Sequence, residues 1–112
     1  MSDCLFCKIL AGEIPGKKVY EDEKVYAFHD INPKTPFHVL IIPKKHISML
    51  SDMEAEDTEL VGHMMYAAKK IADQENLVDA GYRVLMNCGE GGGQIIFHIH
   101  LHLMSGMNSP SP

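Results

Sequence analysis

His98-Ile99-His100-Leu101-His102-Leu103-Met104 places a histidine at every second position, with aliphatic residues between. Successive side chains on a β-strand point to opposite faces. The spacing therefore predicts a strand that turns Phe97, Ile99, Leu101 and Leu103 into a core and sets all three imidazoles on the other face. Working outward, the Gly-rich segment 89–93 leads into this strand, and Tyr82 to Asn87 reads as another. His38 to Ile42 is an aliphatic, β-branched strand closed by Pro43, and Asn32 to Pro36 is a proline-marked loop. Lys18–Tyr20 and Lys24–Phe28 read as strands joined by the acidic turn Glu21-Asp22-Glu23. Cys4 to Leu10 suits a short amphipathic helix ended around Gly12 and Pro15.

A long helix is expected from about Met53 to Asn76, capped by Ser51 or Asp52, with Glu54 and Glu56 complementing its N-terminal dipole. Leu60, Met64, Ala67 and Ile71 fall at helical spacing, widened by Val61, Met65, Ala68 and Ala72, so the methionines read as core filler. The sum is an α+β domain: about five mainly antiparallel strands, one long helix and a short N-terminal helix. The domain is expected over residues 1–106, with 107–112 as a flexible tail, the Ser-, Pro- and Gly-rich character beginning at Ser105.

The chain has 112 residues, 46% of them apolar and 22% charged, which suits one globular domain. A net charge of −5 argues against binding a nucleic-acid polymer, where a basic face supplies most of the affinity. A mononucleotide needs only one small polar pocket and stays open. No signal peptide is evident, and no apolar run approaches the roughly 18 residues of a membrane helix. The odd set Cys4, Cys7 and Cys88 points to a cytoplasmic protein with reduced thiols.

Same-face neighbours on a strand sit roughly 6.5–7 Å apart, so three flat-strand imidazoles converge poorly on one ion with bonds of about 2.0–2.1 Å. The triad suits a nucleophile better: the middle ring attacks while its neighbours and nearby backbone fix its tautomer. Cys4-Leu5-Phe6-Cys7 has redox spacing, but no thioredoxin-like pattern follows it, and two such thiolates form half of a tetrahedral zinc site. Gly91, Gly92 and Gly93 allow backbone amides to approach a phosphate. Cys88 reads as structural, and His63 as a surface or interface residue.

The triad, with Phe28-His29-Asp30-Ile31, Val39-Leu40-Ile41-Ile42-Pro43-Lys44-Lys45-His46-Ile47-Ser48, Gly81-Tyr82-Arg83 and Gly93-Gln94, resembles the histidine-triad superfamily over nearly the whole chain. The flanks resemble its Hint branch, the histidine-triad nucleotide-binding proteins. That resemblance implies a purine nucleoside phosphoramidase or related nucleotidyl hydrolase acting on AMP- or GMP-type substrates. His100 would attack the α-phosphorus, forming a nucleotidyl-histidine that water opens to the nucleoside monophosphate. His102 would contact the phosphate and donate to the leaving group, His38 would support the catalytic ring, and Asn87 would contact the nucleotide near the phosphate. Asp30 would accept the ribose hydroxyls. Leu5, Phe6, Ile9, Phe28, His29 and Ile31 would surround the base, with Gly93, Gln94, Ile95, Ile96, His100 and His102 completing the nucleotide site. The resemblance also implies structural zinc on Cys4, Cys7, His46 and His98, a homodimer, and no redox cofactor.

One position departs from the family pattern. Ile95 stands where Hint proteins usually carry a serine that reaches the phosphate or leaving group, and no Trp-containing ending follows. The loss is expected to cost turnover more than nucleotide affinity. The alternatives are dinucleoside polyphosphate hydrolysis, or a nucleotide-binding regulatory protein with negligible turnover.

Overall fold

The computed structural model describes residues 3–107. Its elements are α1 (Leu5–Leu10), β1 (Lys18–Glu21), β2 (Val25–His29), β3 (Phe37–Pro43), α2 (Thr58–Gln74), β4 (Arg83–Leu85) and β5 (Leu101–Ser105). The strands form one antiparallel sheet in the order β1-β2-β3-β5-β4. This is the α+β architecture expected from the sequence.

Alternation along the strands splits the apolar residues between the two faces of the sheet. Val25, Ala27, Val39, Ile41, Leu101 and Leu103 pack with Met64, Ala67, Ala68 and Ile71 of α2. The opposite face gathers Phe28, Leu40 and Ile42 against Phe6 of α1. Register places Phe28 opposite Leu40, Leu40 opposite His102, and Leu85 opposite His102. His38 sits opposite Met104, one rung further along, so His38 and His102 become diagonal neighbours on the face that carries α1.

Several boundaries differ from expectation. The histidine strand enters the ladder only at Leu101, because Ile99 N–H donates to Ile47 O at 2.8 Å and the His98 ring reaches Pro43 O, drawing residues 98–100 off β3. Ile99, Leu101 and Leu103 are buried as expected, but Phe97 precedes the ladder and is 41% exposed. Once residues 98–100 leave the ladder β4 has no partner beyond Leu85, so it is shorter than Tyr82–Asn87.

The long helix starts at Thr58, not near Met53. Met53 and Glu54 are extended between two 3-10 turns, Leu50–Asp52 and Ala55–Asp57. Asp57 holds this bend: its carboxylate accepts Glu54 N–H at 2.9 Å and pairs with Lys45 at 2.5 Å. Ser51 and Asp52 therefore do not cap α2, and the helix closes at Gln74 before Asn76, whose φ of 59° is left-handed. Met64 is buried core but Met65 is exposed.

Ser105 belongs to β5, with its buried hydroxyl donating to Gly81 O at 2.6 Å. Of the expected tail 107–112, all but Met107 lies outside the described residues. His63 is half-buried on α2 and pairs with Asp22 of the β1–β2 turn at 2.7 Å. Among the described residues no helix is long and apolar enough to cross a membrane.

Candidate active site

His100 is buried, and its Nδ1 lies 2.8 Å from the carbonyl of His98. A carbonyl only accepts, so Nδ1 carries the ring proton and donates it. That leaves Nε2 with its lone pair, the form a nucleophile requires. Burial holds the His100 imidazolium form below its ordinary range, against the opposing pull of the His98 carbonyl and the Asp30 charge. Phe6 stands edge-on to the ring at 5.1 Å and also meets His98 and Phe28, bracing the His100 imidazole from α1.

A second chain of hydrogen bonds starts in the loop before β3. Lys34 N–H donates to His38 Nδ1 at 3.0 Å, so the His38 proton sits on Nε2. His38 Nε2–H in turn donates to His102 Nδ1 at 2.9 Å. The His102 proton is thereby set on Nε2, which is buried and has no partner among the described residues. Burial, then the neighbouring His100 and His38, hold His102 down to about 4, and burial also lowers His38. The result is a neutral ring presenting one unsatisfied N–H, a donor waiting for an acceptor such as a phosphate oxygen.

The residues expected around a nucleotide divide into three groups. Phe6 and Phe28 are buried together, with Ile9 and Ile96 half-buried against them. Asp30 directly follows β2 and faces His38, with Oδ2 at 3.4 Å from Nε2. Leu5 and His29 are exposed, and Ile31 and Ile95 stand out at 90% and 87% exposure. Asn87 lies beside Gly93, whose φ of 92° is a left-handed conformation suited to glycine. Gln94 is buried, and its side chain holds the loop itself: Oε1 accepts Gly89 N–H at 2.8 Å, and Nε2 donates to the carbonyls of Ser48 and Ile96. Cys88 contacts Ser51 Oγ at 3.3 Å beside this loop.

The four expected metal ligands converge. Cys4, Cys7, His46 and His98 bring their donor atoms within 4.8 Å of one another. His98 Nδ1 is 3.4 Å from Cys4 Sγ, 3.6 Å from Cys7 Sγ and 3.1 Å from His46 Nδ1, while Cys7 Sγ is 3.3 Å from His46 Nδ1. A tetrahedral ion with ordinary Zn–N and Zn–S bonds sets its ligand atoms roughly 3.3–3.8 Å apart. The His98 proton is held on Nε2 by Pro43 O at 2.8 Å, leaving the Nδ1 lone pair aimed into the cluster. These residues fit a zinc ion.

Asp30, His38 and His102 also lie within 4.8 Å of one another. Ligation through His38 Nε2 would drive its proton to Nδ1, where Lys34 N–H already points. That trio is wired as a donor chain and does not suit a metal. The backbone groups that set these tautomers, at Lys34, Pro43 and His98, carry no side-chain signature and were invisible to motif reading.

Residues 11–109 match the HIT domain model. The chain belongs to the HIT family. HIT-family relatives include the purine nucleoside phosphoramidase of Escherichia coli K12, 45% identical over 93% of this chain and 87% of that protein. A 14 kDa zinc-binding protein of Zea mays is 50% identical over 97% of this chain and 88% of its own length. The crystal structure of a HIT family hydrolase from Legionella pneumophila superposes with a TM-score of 0.94 at 49% identity, covering 98% of each chain.

Proposed function

We propose that this HIT-family hydrolase cleaves a purine nucleoside 5′-phosphoramidate, or a related nucleotidyl substrate, through a covalent nucleotidyl-His100 intermediate. The observation that carries the reading is the hydrogen bond from His100 Nδ1 to His98 O, which leaves Nε2 as the nucleophile. The Nε2 lone pair attacks the α-phosphorus as the P–N bond breaks. The leaving nitrogen departs with the bonding pair and takes up a proton from solvent. His102 Nε2–H supplies a hydrogen bond to the phosphoryl group or the leaving atom, satisfying a donor that is otherwise stranded. Water then attacks phosphorus and gives up a proton to solvent, the electron pair of the breaking P–N bond returns to Nε2, and the nucleoside monophosphate is released.

Asp30 takes the ribose hydroxyls in this reading. Phe6, Phe28, Ile9, Leu5, His29 and Ile31 surround the base, while Asn87, Gly93, Gln94, Ile95 and Ile96 line the phosphate side. Residues 1–106 form the working unit. Zinc on Cys4, Cys7, His46 and His98 ties α1 to the triad segment and supplies structural closure; the similarity to the maize zinc-binding protein supports this. A cytoplasmic homodimer is part of the proposal. It is supported by β4 at the sheet edge and by Gly62, Met65, Tyr66 and Lys69 along one exposed stripe of α2.

A specific observation favours one alternative, a nucleotide-binding regulator with negligible turnover: Ile95 has no hydroxyl to offer. The deciding experiment measures nucleoside monophosphate release from adenosine 5′-phosphoramidate by the native protein and by His100→Ala. Turnover that vanishes in the variant supports the phosphoramidase. Nucleotide binding without native turnover supports the regulator. Faster release from a diadenosine polyphosphate would redirect the reading to that substrate class.

A further inference from the structure

Asp30 is held in a way that binding a ribose does not require. Its Oδ1 accepts Asn32 N–H at 2.8 Å, and its backbone N–H donates to His38 O at 3.0 Å. These two bonds orient the carboxylate so that Oδ2 lies 3.4 Å from His38 Nε2. The single ring proton of His38 is on that nitrogen, because Nδ1 accepts from Lys34. That N–H is hydrogen-bonded to His102 Nδ1 at 2.9 Å, and the Asp30 carboxylate stands beside the same nitrogen, with Oδ2 at 3.4 Å. The His38 side chain is 1% exposed and that of Asp30 is 18% exposed, so the buried end of the contact is dry while the carboxylate remains reachable from solvent.

We propose that Asp30 is a positioning residue that couples recognition of the ribose hydroxyls to the donor His102 presents to the phosphate. This rests on the nucleoside chemistry proposed above and deepens it. With Asp30 unliganded, its negative charge beside His38 Nε2 draws on that N–H and weakens the bond to His102. Ribose hydroxyls donating to the carboxylate absorb that charge and release the N–H to His102 Nδ1. A stronger bond received at Nδ1 draws electron density from the His102 ring and makes its Nε2–H a better donor, the cooperative polarisation expected of a buried chain. No proton changes owner and no covalent bond forms or breaks. The consequence is that the enzyme reads the ribose in the chemical step as well as in binding.

The test has two arms. Steady-state kinetics compare adenosine 5′-phosphoramidate with its 2′,3′-dideoxy analogue on native protein and on Asp30→Asn. Native kcat is expected to fall about two- to tenfold on the dideoxy substrate, the range one hydrogen bond spans, while Asp30→Asn gives the same kcat on both. A native protein in which only KM changes would overturn the coupling. The second arm records the imidazole ¹⁵N resonances of His38 and His102. Adenosine, which carries no phosphate, is expected to shift them in the native protein; 2′,3′-dideoxyadenosine is not. Asp30→Asn is expected to shift them before any ligand is added and to make them insensitive to adenosine. Unmoved resonances with adenosine bound would overturn the proposal. Failure of both phosphoramidates to turn over would sink the proposed reaction alone, since the resonance arm still reads the coupling. Failure of adenosine to bind would overturn both.

Discussion

The burial of His102 beside His100 and His38 makes stability depend on pH in a calculable way. Folding holds this ring neutral, down to about 4, whereas the unfolded chain takes up its proton near 6.5. Between those values the unfolded state binds more protons, so stability rises with pH. The contribution is fully present above 6.5 and is lost as pH falls toward 4. Taken in full, the shift is worth about 3 kcal/mol, of which about 2 would be gone by pH 5. The ring is only partly buried, and solvent screening should reduce that loss to about 1 kcal/mol. His102→Gln keeps an acceptor for His38 Nε2–H and does not titrate. Urea denaturation of native protein and variant at pH 7.5 and pH 5 isolates the difference, because the other histidines and the carboxylates are common to both. The native protein is expected to lose about 1 kcal/mol more than the variant between the two pH values. Equal losses would refute the depressed titration of the buried His102 ring.

Ile95→Ser is expected to raise phosphoramidate turnover about two- to tenfold, one hydrogen bond's worth, with little change in stability because Ile95 is 87% exposed; unchanged turnover would remove Ile95 as the cause of any slow rate. Protein prepared without added zinc is expected to carry about one zinc per chain by elemental analysis, and Cys7→Ser to lose it together with thermal stability. A native content far below one would exclude the site. Phe6→Leu keeps an apolar side chain but gives up edge contacts to Phe28, His98 and His100. A destabilisation of about 1–3 kcal/mol is expected, with a lower kcat from a looser His100, and an unaltered kcat would show that the nucleophile does not depend on α1.

Much of this was legible because period-two alternation is a strong physical signal. Ile99, Leu101 and Leu103 had to be buried if their neighbours formed a strand, and they are. The pairing of Cys4 and Cys7 with His46 and His98 came from resemblance rather than spacing, since ligands 39 and 94 positions apart announce nothing locally. The start of α2 is not set by local signals, since Ser51, Asp52 and Glu54 are good capping chemistry on their own yet the helix begins at Thr58. The tertiary contact from Lys45 to Asp57 bends that segment and moves the helix start to Thr58. Phe97 was misplaced for a similar reason: alternation presumes a continuing ladder, and the ladder begins at Leu101.

The two histidine clusters show why residue type alone could not separate metal binding from proton placement. Each contains two imidazoles with nitrogens about 3 Å apart, at 3.1 Å for His46 and His98 and at 2.9 Å for His38 and His102. What differs is the polarity of the backbone group at the far side of one ring. Pro43 offers a carbonyl to His98 Nε2, which pushes a lone pair into the cysteine cluster and suits a cation. Lys34 offers an N–H to His38 Nδ1, which pushes a proton down the chain and suits an anion at its end. The same side chain is thus set to offer a lone pair or an N–H to its neighbours according to one backbone atom. Exchanging the roles would require rebuilding the loop, not the triad.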